Sequence, residues 1–370
     1  MKKTTLDSIK KTVFFISRSI FRLFYGRHVW LICDRKNEAG DNGEIFFEYL
    51  QNKPIKSYFA ISKSSPEYDR LKQIGKVIDY DSFFHKFLLI VCDAHISSQD
   101  NHMRNHIETP QFFLQHGVIN NDLHNYINSF AHDNLYIHAS AAPEAESLER
   151  TPYNIKEGHV LLTGMPRYDI LENDPQKLIL FAFTWRSYLN ISDSKSIFES
   201  DYFLNIKNIF TDKDIIETAE AKGYKLCYKV HPVYKDFCKR LDLPKCIEEY
   251  TGSYKDFFKY GNLLITDYSS VAFDFSYLHK PVLYYQFDKD TFYHSNIVEK
   301  GYFDVNTMGF GLVTETFETF KKEFINLINN DCKMNPEYVE RADNFFAFRD
   351  KNNCKRVYDE IYSILYKTEV

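Results

Sequence analysis

Residues 262–285 read NLLITDYSSVAFDFSYLHKPVLYY. An apolar run rich in β-formers ends at Thr266, a polar turn Asp267-Tyr268-Ser269-Ser270 follows, and an amphipathic stretch from Val271 to about His279 has helical spacing. Pro281 then opens a second apolar run, so the segment reads as strand, turn, helix, strand, the repeat of a parallel sheet. The turn sits where a strand's carboxyl end meets a helix N-terminus, and unpaired N–H groups and the helix dipole both favour an anion there. N-capping by Ser or Asp is the plainer use of the same residues.

Working outward, the same alternation fills the chain from residue 28. Expected strands are His28–Cys33, Lys56–Ile61, Lys76–Tyr80, Ala94–Gln99, Gln111–Gln115, Leu135–Ala139 and Val160–Thr163, and then Leu178–Trp185, Lys225–Val230, Leu263–Thr266 and Pro281–Tyr285. Helical lengths such as Asp41–Gln51 and Pro143–Arg150 separate them. The 370 residues exceed one ordinary core and suit two domains of roughly 150 to 180 residues each. The fold class expected is α/β with two Rossmann-type domains whose carboxyl edges face a central cleft. The divisions are a basic segment 1–27, a first domain 28–173, a second domain 174–345, and a helical C-terminal tail 346–370.

A net charge of −5 argues against a nucleic-acid partner. The first thirty residues differ: Lys2, Lys3, Lys10, Lys11, Arg18, Arg22 and Arg27 face one acid, Asp7, amid Val13, Phe14, Phe15, Ile16, Ile20, Phe21, Leu23, Phe24 and Tyr25. No uncharged run reaches the ~20 residues that span a bilayer, and no small-residue cleavage site follows. The expectation is an amphipathic helix lying on an anionic membrane with its basic groups turned outward; a first helix packed on its own domain is the other reading. Seven cysteines without CxxC spacing read as reduced thiols, and thirteen scattered histidines without HExxH give no metal site.

Two histidines end apolar runs. His116 precedes Gly117, which permits a tight turn, and is placed for general-base work near neutral pH. His231 precedes Pro232 and ends the run that contains Lys229. Three further runs offer donors for anions: Asp34 to Gly43 (DRKNEAGDNG, with Asp41 and Asn42), Thr163 to Asp169 (TGMPRYD, with Arg167), and Phe183 to Arg186 (FTWR, with Thr184).

In this order and spacing, DRKNEAGDNG, QHG, TGMPRYD, FTWR, KVHP and ITDYSS, the last followed by HKPVLYYQFD, resemble the CDP-glycerol:glycerophosphate glycerophosphotransferase family of teichoic-acid and capsule synthesis, over about residues 28–345. The resemblance implies a GT-B-like fold, a CDP-polyol donor held mainly by the second domain, and a polyol-phosphate or glycan acceptor, lipid-linked, entering from the first. It implies transfer of polyol phosphate, glycerol phosphate first, with release of CMP at the inner face of the bacterial plasma membrane, and no cofactor. A GT-B glycosyltransferase using a nucleotide-diphosphate sugar is the alternative. By motif, His116 is similar to the family's catalytic base and His231 to its second essential histidine. Asp267, Tyr268, Ser269 and Ser270, with Thr184, Arg186 and Lys229, are expected at the donor's phosphates and nucleotide. Arg167, Asp169, Asp41, Asn42 and Gly117 are expected on the acceptor side. The run Gly117-Val118-Ile119-Asn120-Asn121 departs from the family's common threonine-then-lysine pattern.

Overall fold

The apolar runs become strands and the amphipathic stretches cover them. The computed structural model describes residues 2–100, 108–190, 192–229, 234, 237, 240, 243–295 and 298–367. Among these, β1 (Val29–Cys33), β2 (Lys56–Ile61), β3 (Val77–Asp79), β4 (Ala94–Ser97), β5 (Gln111–Phe113), β6 (Leu135–Ala139) and β7 (Val160–Leu162) form one sheet. A second holds β8 (Leu178–Ala182), β9 (Lys225–Tyr228), β10 (Ile247–Glu249), β11 (Gly261–Thr266), β12 (Val282–Tyr285) and β13 (Val313–Thr314). Pairing is parallel throughout, in the orders 3-2-1-4-5-6-7 and 10-9-8-11-12-13. In each sheet the strand order reverses once, between β1 and β4 and between β8 and β11, and the carboxyl ends of strands beside such a reversal are where ligands of doubly wound sheets collect.

Two compact units result. The first comprises residues 1–118, 124–170 and 347–370; the second comprises 119–123 and 171–346. In the first, Trp30, Ile32, Phe46, Phe59 and Phe112 make a fully buried core that the last helix, Asn353–Tyr366, closes with Cys354, Val357 and Ile361. Trp30 Nε1 donates to Tyr366 Oη at 3.1 Å. The core of the second unit is built on Phe181, Phe203, Ile265, Leu283, Phe320 and Phe324, with Trp185 packed against it.

The basic N-terminal stretch is one helix, Lys2–Tyr25. One of its faces packs on helix Phe83–Val91 of the first unit, with Phe21 and Tyr25 meeting Phe87 edge-on at 5.1 and 5.6 Å. The expectation that all its basic groups point outward is corrected. Arg18 is buried and donates to Cys92 O at 2.6 Å, and Arg22 pairs with Asp93, because both lie on the packed face. Ile16, Ile20, Leu23 and Phe24, on the opposite face, are exposed. No described helix is long and apolar enough to cross a membrane.

Candidate functional site

In the first unit the polar groups after β1 are organised by a buried carboxylate. Asp34 accepts from the backbone N of Asp41, Gly43 and Glu44 at 3.1, 2.9 and 3.1 Å and from Ser98 Oγ at 2.6 Å. It thereby satisfies the free N–H groups that open helix Asn42–Leu50. Burial, with the charge of Asp41 adding to it, raises its pKa, while the hydrogen bonds from Ser98 and the main chain oppose the rise. Glycine is required at 43: a Cβ there would lie 2.4 Å from Asp34 Oδ1 and 2.7 Å from Cys33 O.

The helix start then grips the turn after β5. Asn42 Nδ2 donates to Gln115 O at 2.7 Å, and Asn42 Oδ1 accepts from Arg167 N at 3.0 Å. Arg167 Nη1 donates to Asp41 Oδ1 at 2.9 Å and to His116 O at 2.8 Å. Gln115, buried and tied through Nε2 to His138 O at 2.6 Å, has φ of 60°, a left-handed conformation that costs a non-glycine residue energy and marks turns held for a purpose. The clamp leaves the His116 side chain exposed, with Gly117 buried beside it. Enough protein still surrounds the imidazole that lost hydration lowers its pKa; Arg167 and Arg35 add to the effect and Asp41 and Asp100 oppose it.

Asp41, Asn42, Arg167, His116 and Gly117 thus come together. Two of the residues expected on the acceptor side are engaged within the first unit. Asn42 is fully buried and holds main chain. Asp169 accepts from Asn353 N and Cys354 N, both at 2.8 Å, and from Asn353 Nδ2 at 2.7 Å, and so caps the N-terminus of the last helix.

In the second unit the turns after β8 and β11 are joined across the strand-order reversal. Asp267 Oδ1 accepts from Thr184 N at 2.9 Å and Tyr268 N at 2.6 Å, and Asp267 Oδ2 pairs with Arg186 Nη1 at 2.8 Å. Arg186 also binds Asp288 through Nε and Nη2, at 2.6 and 2.9 Å, and donates to Thr184 O at 2.5 Å. Aromatic rings wall it in, those of Tyr202 and Phe292 at 4.8 and 5.0 Å from Cζ. Burial alone would lower its pKa, but the two carboxylates outweigh it and keep the guanidinium charged.

Three of the residues expected on the donor side are engaged in this frame. Arg186 is only 1% exposed, donates to Asp288 and Thr184 O and pairs with Asp267. Asp267 is likewise interior. Tyr268 is stacked on Phe292 at 3.7 Å with its hydroxyl turned to Asp288 at 3.2 Å. Lys229 donates to Gly252 O at 2.9 Å beside the ring of Tyr254. Thr184 is partly accessible next to this frame. His231 lies outside the described residues.

Ser269 and Ser270 remain partly accessible where β11 ends. Ser270, at the N-cap of helix Val271–Tyr277, makes no side-chain capping bond, and among the described residues Ser269 Oγ meets only Val271 N, at 3.5 Å. A pocket of about 20 Å³, room for one water-sized group, lies behind Ser269 and is bounded also by Asn120, Gln286 and Tyr293. Gln286 Nε2 donates to Asp267 O at 3.0 Å while its buried Oε1 has no partner among the described residues. Asp288, which sequence reasoning did not single out, is the residue that completes the frame. Its signal was the polar end of QFD after an apolar run, 102 residues from the arginine it binds.

Two open parallel sheets, each gathering polar groups at its strand-order reversal, define a doubly wound α/β protein of the GT-B-like, two-Rossmann-domain class with a helical C-terminal region. The family model of CDP-Glycerol:Poly(glycerophosphate) glycerophosphotransferase matches residues 14–363, and the chain belongs to that family. It is 34% identical over 371 residues to the minor teichoic acid biosynthesis protein GgaB of Bacillus subtilis (strain 168), covering 93% of this chain and 41% of that protein. It is 27% identical over 172 residues to a teichoic acid glycerol-phosphate transferase of Staphylococcus aureus (strain NCTC 8325 / PS 47), covering 41% of this chain and 42% of that one. These matches span about two-fifths of the length of either curated relative. Among solved structures, the wall teichoic acid polymerase TagF superposes with a TM-score of 0.65 at 15% identity, over 100% of this chain and 98% of that one.

Proposed function

We propose that the chain transfers a polyol phosphate, glycerol phosphate first, from a CDP-linked donor to a hydroxyl of a cell-surface polymer or its lipid-linked primer, releasing CMP. The observation that carries the reading is the Ser269-Ser270 turn: two hydroxyls without strong partners among the described residues, held at the sheet's reversal point by a buried arginine–carboxylate frame. Such preorganised donors suit a pyrophosphate whose charge grows as the P–O bond to CMP breaks.

On this reading His116 accepts the proton of the acceptor hydroxyl as that oxygen attacks the donor's distal phosphorus. Its lowered pKa supports the role, since the imidazole is then unprotonated at neutral pH. CMP leaves as a phosphate with a second pKa near ~6 and needs little protonation; His231 is assigned to steady its charge. The exposed face of helix Lys2–Tyr25 supports attachment to the inner face of an anionic membrane, where a lipid-linked acceptor would be met.

The test is incubation with CDP-glycerol and CDP-ribitol separately, with membranes as acceptor, reading CMP release and product mass. Release of CMP with a mass gain of one polyol phosphate per turnover is expected. Inertness toward both donors, with release of a nucleoside diphosphate from a nucleotide sugar, overturns the proposal in favour of glycosyl transfer.

A further inference from the structure

The N-terminal helix has a neighbour, met through Phe21 and Tyr25 of its packed face. Helix Phe83–Val91 begins with two consecutive phenylalanines, and Phe83, 89% exposed, is the most exposed large apolar side chain among the described residues, ahead of Phe24 at 87% and Leu23 at 84%. Phe84 is exposed as well and packs edge-on against Tyr25 and Tyr58, at 6.3 and 5.9 Å, so the pair stands beside the carboxyl end of the first helix. An interior role would turn these rings inward. The same helix does that with Leu88 and Val91, while its first turn keeps Phe83 in water.

Charge around the pair is one-sided. Segments 8–33 and 83–92 contain no Asp or Glu, although acids outnumber Lys and Arg by 51 to 46 over the whole chain. Lys56 and Lys76, both exposed, lie over the rings of Tyr25 and Tyr58 that Phe84 touches, each at 5.5 Å, and Lys86 and Arg27 are exposed nearby in sequence. Lys56 Nζ also donates to Tyr25 O at 2.8 Å, which ties this collar to the end of the first helix. The exposed carboxylate of Asp81, two residues before Phe83, is paired with Lys36 at 2.8 Å; apolar tips among such an excess of cations match an anionic bilayer, where rings enter the acyl boundary and ammonium groups meet lipid phosphates.

We propose that Phe83 and Phe84 are a second membrane anchor, which with Ile16, Ile20, Leu23 and Phe24 forms a two-element docking face on the first unit. The inference rests on the membrane attachment put forward above and goes beyond it. One helix lying in an interface leaves the attached unit free to roll about the helix axis; a second contact off that axis fixes which side of the sheet faces the lipid.

The full chain is tested by flotation with vesicles of phosphatidylglycerol and phosphatidylcholine against vesicles of phosphatidylcholine alone. Phe83→Ser with Phe84→Ser is expected to weaken binding to the anionic vesicles by about tenfold or more while the protein still melts cooperatively. Phe83→Trp is expected to gain emission that brominated acyl chains quench. Wild-type affinity of the double variant, together with an unquenched tryptophan at 83, overturns the second anchor even if Leu23→Ser with Phe24→Ser abolishes binding, in which case attachment by the first helix stands alone. Absence of wild-type binding to either vesicle overturns both claims. A double variant whose only change is a smaller sedimenting species assigns the face to a second copy of the chain and also overturns it.

Discussion

A base must be unprotonated when the acceptor arrives, and the surroundings of His116 favour that form. Because its pKa is lowered, the acid limb of kcat/KM is expected below the ~6.5 of an ordinary imidazole; activity is retained above that limb and lost as the pH falls through it. His116→Gln should cost roughly 10²-fold or more in turnover, leave binding of the CDP donor near normal, and abolish the limb. A pH–rate profile of both proteins checks this, and an unaltered limb removes His116 from the mechanism. Arg186 belongs to the opposite kind, a cation held in the interior between two carboxylates. Arg186→Met leaves Asp267 and Asp288 interior without their counter-charge, so a loss of about 3–5 kcal/mol in urea unfolding is expected. Full stability with failed donor binding would return Arg186 to the ligand. His138 adds a pH term of its own. Its pKa is pushed down to about 3 by burial, so the folded protein refuses a proton that the unfolded chain accepts. Stability from this group is complete above ~6.5 and falls toward ~3 by about 1.4 kcal/mol per pH unit. His138→Asn should reduce the acid-side slope of unfolding free energy by about one proton, as read from urea midpoints across pH.

At the scale of elements, what the sequence announces and what it hides divide by length and by distance along the chain. Strands with four or more apolar residues, such as Lys56–Ile61 and Leu135–Ala139, are legible within a residue or so, because burial on both faces demands unbroken hydrophobicity. Ile247–Glu249 and Val313–Thr314 are not: edge strands of three and two residues, one of them reading IEE, carry too little apolar surface to mark themselves. The turns that present His116 and Ser269-Ser270 were legible because they sit at strand ends, where the alternation itself breaks. The partners of Arg186 and Asp169 were not, since a carboxylate 102 residues away and a helix start 184 residues away leave no local trace. Asp169→Ala should therefore act on the last helix and not on substrate. About 1–2 kcal/mol of stability is expected to go with the cap, at unchanged KM, with hydrogen exchange accelerating first over residues 353–366.

For the molecule as a whole, each core is assembled from segments that are not neighbours in sequence. Residues 119–123 count with the second unit although the strand before them belongs to the first, and residues 347–370 return to the first after the second is complete. The periodicity of the tail shows a helix but not which apolar surface it covers, since any sheet face would accept the same stripe. Removal of residues 353–370 uncovers Trp30, Phe46 and their neighbours and should unfold the first unit while the second keeps its near-ultraviolet dichroism; limited proteolysis that cuts both units equally would contradict this.

The chain has two tryptophans, one in the core of each unit. Replacing either one with phenylalanine leaves a protein whose indole fluorescence comes from a single half, so an optical melt can tell which half gives way first. Trp30, bonded to Tyr366, will further report when the tail lets go before the sheet beneath it does.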